Sequence, residues 1–483
     1  MPIYRPRMHA RMLVPLDHGV SPSEHRVVLT PRLRSATLTL NDHNHADELE
    51  FECAWSDLGI DPRMARSAAV EFYMADVVDG TDNVPATRAN FRFAGIVDTV
   101  ERAASEMGHI ARVRCRDYTA LFIAMKPLPP EGVPLVTDTL VDAWRRICDH
   151  TGYVDPEGNI TSSVQLLRDR IEFRGGADPG LVIADAMAAR FRQIGGPIHV
   201  PPKADAWAVW QQAVGMLGLV SYIDRDRCIV TTSVDAYADD GEEAPALIYG
   251  TNILEMTETA DSGWDGKGVW LTSFDPLTGK TIEAHYPPSS APAARGKKAT
   301  GSDGTTHAST QQRRAAAGDV VDAKDYWHQS YPGVTDPETL ARIARRAWEE
   351  RARQEMRGTL TTCEMRVPVD ASVASGAAVL GALPSATRGE IDLLDLRCGD
   401  SIRVEIDHVD RELFARLPTE AARANYLIEL GYQPTPAWIL ARNSRASAFG
   451  RVFKVTDLRI HLAADADGGE FSVQINYVNK IEL

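Results

Sequence analysis

The chain is poor in several things that would each have pointed somewhere. Its six cysteines, Cys53, Cys115, Cys148, Cys228, Cys363 and Cys398, are scattered, and none stands in a C-x-x-C pair. Several sit in apolar runs, where a free thiol packs as a small hydrophobe. A reduced, cytosolic site of assembly is the simplest reading. No apolar run approaches the roughly 20 residues that span a bilayer. The first residues, MPIYRPRMHARMLVPL, are basic but carry no sustained apolar core, so a secretory signal is not expected. Positive charge is also short: 52 Lys and Arg against 67 Asp and Glu leave a net charge of −15. Such a chain does not coat nucleic acid by counterion release, which needs basic patches facing phosphate. Catalytic signatures are missing too, with no G-x-S-x-G elbow, H-E-x-x-H helix or Walker loop.

What is present is a long, ordinary globular composition. At 483 residues, two to four domains are expected, and 44% apolar with 25% charged residues fits a soluble globular protein. Residues 25–125 read as short strands separated by turns. Glu48-Leu49-Glu50-Phe51-Glu52-Cys53 alternates strictly, which places Leu49, Phe51 and Cys53 on one buried face. Ser35–Leu40, Ala69–Tyr73, Phe91–Val97 and Ile110–Cys115 are further candidates. This spacing predicts an antiparallel sandwich or barrel.

The prolines at 127, 129 and 130 mark a boundary. Beyond it lies the stretch around which the chain is organised, residues 205–232. Asp205 is an N-cap candidate, and Trp207, Trp210, Val214 and Leu217 recur at helical spacing up to Gly218. A hairpin follows, Leu219–Ile223 and Cys228–Val230 around a polar turn. Residues 142–154 also begin Asp-Ala-Trp and close on a glycine before strand-like residues, either by kinship or by chance. A helix is expected between them at 178–192.

Strands return at 246–286, weakly at Ala246–Tyr249 and clearly in a hairpin of Gly268–Ser273 with Thr281–Tyr286. Residues 287–318 are low in complexity and too polar to bury surface against their ordering entropy. They carry +4 (Arg295, Lys297, Lys298, Arg313 and Arg314 against Asp303), and read either as a solvated linker or as a docking arm for an acidic neighbour. Residues 335–356 form a helix, with Thr335 and Glu338 as a capping box and Leu340, Ile343, Ala344, Ala347 and Trp348 as the apolar stripe. More strands occupy 359–407, a helix-prone insertion 408–447, and a final hairpin Val452–Leu462 and Phe471–Val478.

Candidate sites are weak. Asp42-His43-Asn44-His45 offers two imidazoles, but it reads as a solvated turn, because a zinc site needs four ligands or three plus water. Gly263–Gly268 joins strands rather than opening a helix, so it is not expected to cradle phosphate. A pair of acidic groups arranged for glycoside hydrolysis stays open, with no pair singled out. Trp144, Trp207, Trp210, Trp264, Trp270, Trp327 and Trp348 are expected as core or interface anchors. No catalytic, cofactor-binding or metal-ligating residue is assigned, and no cofactor is expected.

Taken together, a β-rich first part ending in Arg116-Asp117-Tyr118, a helix closing on Thr151-Gly152-Tyr153, and the helix–hairpin at 205–232 resemble the baseplate hub family of tailed phages. That family includes the late-control D proteins and the hub-like half of VgrG. The strand after Gly399-Asp400 is similar to one in that family. The resemblance runs through 10–285 and 335–483. It implies an α+β, mainly β fold with two tube-protein-like antiparallel β-barrel domains, inserted mixed α/β domains, and a trimeric hub. The implied division is 1–125 for the first barrel and 126–245 for the mixed domain. The second barrel is 246–407, interrupted by loop 287–324 and helix 335–356, with a helical insertion at 408–451 and a completing hairpin at 452–483. The implied role is a structural, non-enzymatic baseplate hub of a phage tail or contractile injection particle. A homotrimer would join a tail tube protein or tube initiator to a central spike, beside baseplate wedge proteins. The acidic balance would then keep DNA from sticking to a lumen, or serve solubility alone. The alternatives are a tail-associated cell-wall-degrading enzyme and a siphophage-type tail-tip protein. Virus, tailocin, secretion system and gene-transfer particle all fit this role.

Overall fold

The computed structural model describes residues 4–15, 26–59, 68–78, 84–105, 108–125, 127, 139–151, 153–154, 160–161, 164, 167–174, 205–215, 219–233, 244–249, 252–260, 268–274, 281–286, 307–308, 326–330, 337–352, 356–368, 390–405, 414, 416–442, 450–463 and 470–479. The expected helix at 178–192, the glycine-rich segment 263–267 with Trp264, and all of the basic segment 287–318 but His307 and Ala308 lie outside these residues.

Seven strands come first: β1 (Tyr4–Pro15), β2 (Arg26–Leu29), β3 (Leu33–Leu40), β4 (Glu48–Ala54), β5 (Ala69–Val78), β6 (Phe91–Ser105) and β7 (Gly108–Asp117). One-turn helix α1 (Trp55–Leu58) follows β4, and α2 (Thr119–Ala124) follows β7. The alternation of β4 does what its pattern predicts: Leu49, Phe51 and Cys53 are fully buried. On the other face Glu48, Glu50 and Glu52 stand opposite Arg116, Arg114 and Arg112 of β7. Exposed pairs of this kind fix register more than they stabilise. Strand β1 lies ahead of the stretch where strands were expected. Its Ala10, Met12 and Val14 are buried and alternate with half-buried His9, Arg11 and Leu13.

The middle of the chain holds α3 (Leu140–Asp149), β8 (Tyr153–Val154), β9 (Ile160–Thr161), β10 (Ile171–Arg174), α4 (Ala206–Gly215), β11 (Leu219–Ile223) and β12 (Ile229–Ser233). Asp205 caps α4, its carboxylate accepting from the Ala208 amide at 2.7 Å. Helix α3 starts at Leu140, ahead of the expected 142, because the Thr139 hydroxyl accepts from the Asp142 amide at 3.1 Å. The hairpin β11–β12 forms as expected, and β10 adds to it in parallel. Trp144, Trp207 and Trp210 are buried with Phe122 in a common core.

The rest comprises β13 (Ala246–Ile248), β14 (Glu255–Ala260), β15 (Gly268–Phe274), β16 (Thr281–Tyr286), β17 (His307–Ala308), β18 (Tyr326–Ser330), α5 (Pro337–Ala352), β19 (Met356–Thr362), β20 (Arg366–Pro368), β21 (Glu390–Asp392), β22 (Ser401–Glu405), α6 (Glu420–Glu429), α7 (Pro434–Arg442), β23 (Gly450–Ala463) and β24 (Glu470–Asn479). A thirteen-stranded sheet runs β14-β19-β24-β23-β3-β4-β7-β6-β5-β1-β2, with β22 on β23 and β13 on β22. One continuous apolar core lines it, from Ala10 through Phe51 and Val113 to Leu360, Ile460 and Ile475.

One expectation needs correction. Strands β15 and β16 were assigned to the second barrel, but they form a separate four-stranded sheet with β17 and β18. Their alternation gives a single apolar face, Val269, Leu271, Ile282, Ala284 and Tyr286, and α5 packs its stripe on that face rather than on the large sheet. The helix-prone insertion does leave the β pattern. Helices α6 and α7 enclose a small core of their own around Phe414, Leu427 and Ala437. Among the described residues, no helix is long and apolar enough to cross a membrane.

Candidate assembly edges and a buried carboxylate pocket

The large sheet contains one strand order twice. In the first set the order is β3-β4-β7-β6-β5-β1, and in the second it is β14-β19-β24-β23-β22-β13. Numbered by position along the chain within each set, both read 2-3-6-5-4-1. Four of the five neighbour pairs are antiparallel in both; the fifth, β1–β5 against β13–β22, differs in direction. The match extends to irregularities. The hairpin β6–β7 shifts register between Val97 and Thr99, and β23–β24 shifts between Val455 and Asp457. Before each shift a backbone amide donates at 2.9 Å across the sheet, Val97 to the Ala68 carbonyl and Val455 to the Asp400 carbonyl.

The two sets meet where β3 pairs antiparallel with the second half of β23, Leu38 opposite Ile460 and Leu40 opposite Leu458. All four side chains are buried. On the other face the Thr37 hydroxyl lies 2.9 Å from His461 Nδ1. This junction leaves two counterparts. Strand β14, the equivalent of β3, ends the sheet, and the second half of β6, the equivalent of β23 beyond the bulge, has β7 on one side and no described strand on the other. A row of unmet amides and carbonyls on such an edge is a template for another chain.

The turn at 42–45, expected to be merely solvated, is an anchor. The His43 carbonyl accepts from Trp207 Nε1 at 2.9 Å and from Gln211 Nε2 at 2.7 Å, and its ring stacks on Tyr222. His45 is exposed and bonds back to Asp42 within the turn. Among the described residues no group of three or more His, Cys, Asp or Glu is placed to hold a metal.

Behind the turn is a feature the sequence did not single out. Asp47 and Asp117 line a small cleft with Tyr222 and Arg397, of about 20 Å³, room for roughly one water. The Asp117 carboxylate accepts from both the amide and the hydroxyl of Thr119 at 3.0 Å, and Asp47 accepts from the Asn41 amide at 2.8 Å. Burial pushes the Asp47 carboxyl up to about 6, against the pull of Arg397 and the Asn41 amide. Burial, then the neighbouring Asp47 charge, pushes Asp117 well above the ordinary carboxylate range. Arg116-Asp117-Tyr118 stood out in the sequence only as part of a resemblance. Asp47 gave no signal, because its partner lies 70 residues away.

These raised values make stability proton-linked. Between the ordinary carboxylate range and about pH 6 the folded chain holds protons that the unfolded chain has released, so this contribution is full at acid pH and is lost as pH rises through 6. Asp117→Asn keeps hydrogen-bonding capacity toward Thr119 and removes the charge. It is expected to stabilise the chain at pH 8, with the gain fading toward pH 4. Thermal unfolding of both proteins across that range checks this; a pH-independent offset would show that Asp117 is not the linked group.

No known family model matches the chain, and no curated protein matches it in sequence. Its likeness is to solved structures. The tail protein from Neisseria meningitidis MC58 superposes with a TM-score of 0.51 at 14% identity, over 99% of this chain and 97% of that one. The 43 kDa tail protein of prophage MuSo2 from Shewanella oneidensis gives 0.49 at 11% identity, over 98% of both chains. A type VI secretion system component from E. coli, described as structurally similar to T4 bacteriophage tail proteins, gives 0.43 at 8% identity, over 94% of this chain and 74% of that one. The likeness is one of fold, and through it the resemblance read from the sequence stands: from end to end, this chain has the mainly β fold of a tail protein.

Proposed function

We propose that the chain is a structural hub in the baseplate of a phage tail or a related contractile injection particle. Each six-strand set is a tube-like barrel in this reading, and three copies contribute six sets to one ring of pseudo-sixfold symmetry. Such a ring adapts a sixfold tail tube or its initiator to a threefold spike, with wedge proteins outside. DNA passes through the lumen without specific binding. The protein resides in the virion tail, assembled in the host cytoplasm, and its role is mechanical rather than enzymatic.

The observation that carries this reading is the repeated strand order within one chain, joined edge to edge and leaving one matching edge on each set. A head-to-tail contact of this type closes into a ring when its rotation allows. The tail-protein fold supports the setting. For the cell-wall enzyme reading, Asp47 and Asp117 are a carboxylate pair in one cleft, but a cleft of about 20 Å³ does not seat a saccharide.

Light scattering across a concentration series, with negative-stain imaging of the same samples, tests the reading. Particles near three times 53.0 kDa with a ring outline are expected. A mass of one chain at every concentration, without rings, would overturn it.

A further inference from the structure

We infer that β14 of one copy docks on the second half of β6 of another in one defined antiparallel register, locked by Arg102 against Glu258. This rests on the ring reading above and adds to it the seam between copies.

The register follows from the repeat. Aligning the two bulges makes Val100 equivalent to Leu458, Arg102 to Ile460 and Ala103 to His461. Following the ladders across β7 and β4, and across β24 and β19, makes Met256 equivalent to Ala36, Thr257 to Thr37 and Glu258 to Leu38. Burial agrees along these paths, since Phe51 and its counterpart Leu360 are both fully buried, as are Val113 and Ile475. Within the chain Leu38 stands opposite Ile460 and Thr37 opposite His461. Between copies the same geometry sets Glu258 opposite Arg102 and Thr257 opposite Ala103.

The charges were not used in that alignment, yet they fall opposite one another with opposite sign. Both side chains project on the face that carries the core, as their cross-strand contacts show: Arg102 lies 4.8 Å over the Trp55 ring, and Glu258 accepts from the buried Tyr477 hydroxyl at 3.1 Å. Each head group has further capacity, a guanidinium with five donors and a carboxylate with about four acceptor sites. Arg102 is exposed and Val100 half-buried, whereas their counterparts Ile460 and Leu458 are fully buried beneath β3. That contrast is what an unfilled edge of the same kind produces. Leu254, at the entry to β14, is 58% exposed. The seam inside the chain is thus apolar on its core face, and the seam between copies is charged.

Two experiments decide it in the full-length protein. The first pairs Ala103→Cys with Thr257→Cys and oxidises with copper phenanthroline. Residues directly opposite bring their Cβ atoms within about 5 Å, and a shift of two residues opens this to about 7–8 Å, beyond disulfide reach. Dimers and trimers linked in a denaturing gel are expected for this pair, and not for either single variant or for Ala103→Cys with Glu255→Cys. The second reverses charge. Arg102→Glu or Glu258→Arg alone is expected to weaken association on the order of tenfold or more, and the double variant to restore it. A trimer by mass that fails to cross-link in this register, or that the double variant does not rescue, overturns the seam and leaves the ring reading standing. A chain that remains monomeric and uncross-linked at every concentration removes both.

Discussion

Truncation of Trp144 to alanine is expected to lower the stability of the helical region by roughly 3–5 kcal/mol. The side chain is fully buried. Its ring meets Phe122 at 4.9 Å and Trp210 edge-on at 5.1 Å, and its Nε1 donates to the Leu167 carbonyl at 2.9 Å. Trp144→Ala therefore opens a cavity beside two aromatic neighbours and orphans a buried carbonyl, two costs that add. Trp144→Phe keeps most of the volume and loses the hydrogen bond, so it should cost less than half as much. Hydrogen exchange reads the effect locally, which matters in a chain this long, where unfolding need not be two-state. Amides of α3 and α4 should lose protection while those of β4 and β7 keep theirs. Equal loss everywhere would mean that this cluster holds the whole chain together, contrary to its separation from the large-sheet core.

Replacement of Arg92 by alanine should cost a similar amount, about 3–5 kcal/mol, by a different route. Arg92 is buried at 5% exposure in β6 and binds three acceptors at once: Asp392 at 2.8 Å, Asp395 at 2.7 Å and the Met74 carbonyl at 3.2 Å. Asp395 also accepts from Arg225 in the β11–β12 turn at 2.9 Å. One guanidinium thus ties the first strand set to a segment some 300 residues later, with the helical region's hairpin at the same node. Removal strands Asp392, which is largely shielded from water. Lysine does not rescue, because one ammonium cannot reproduce the planar fork toward three separate acceptors. Denaturant titration of Arg92→Ala, Arg92→Lys and Arg92→Ala/Asp392→Asn tests this. The double variant should recover part of the loss, since the uncompensated carboxylate is gone. No recovery would place the cost in packing rather than charge.

Parts of this architecture were plain in the sequence. Strand β4 writes its burial in strict alternation, helix α4 carries its cap at Asp205, and α5 shows a complete apolar stripe. What stayed hidden has a common cause. Strand β1 interleaves His9 and Arg11 with its buried residues, and β14 reads Glu-Met-Thr-Glu-Thr-Ala, with only Met256 clearly apolar. A strand with an open edge has less reason to be hydrophobic, so the strand placed at the proposed seam looks like a loop. The Asp47–Asp117 pair and the Arg92 clamp join residues far apart in sequence, and no local pattern encodes such a meeting. The alternation of β15 and β16 gives an apolar face but not the element that covers it, so their place in a separate sheet is not written locally. The repeat entered the sequence reading only as the two barrels that the resemblance implies; residue identity hides it, because its two sets share strand order and bulge position while equivalent residues such as Leu38 and Glu258 differ in kind.

The junction of β3 with β23 has a kinetic consequence. Because one polypeptide supplies both strands, every second seam of the proposed ring is made while the chain folds, as an intramolecular step independent of chain concentration. Six joints then require only three diffusing bodies. Closure should scale with about the third power of chain concentration at low occupancy, where six separate barrels would follow the sixth. Half-built rings become correspondingly few: a pair of chains is the one intermediate between the free protein and the closed form, leaving little exposed sheet edge to aggregate while the particle waits for its remaining parts.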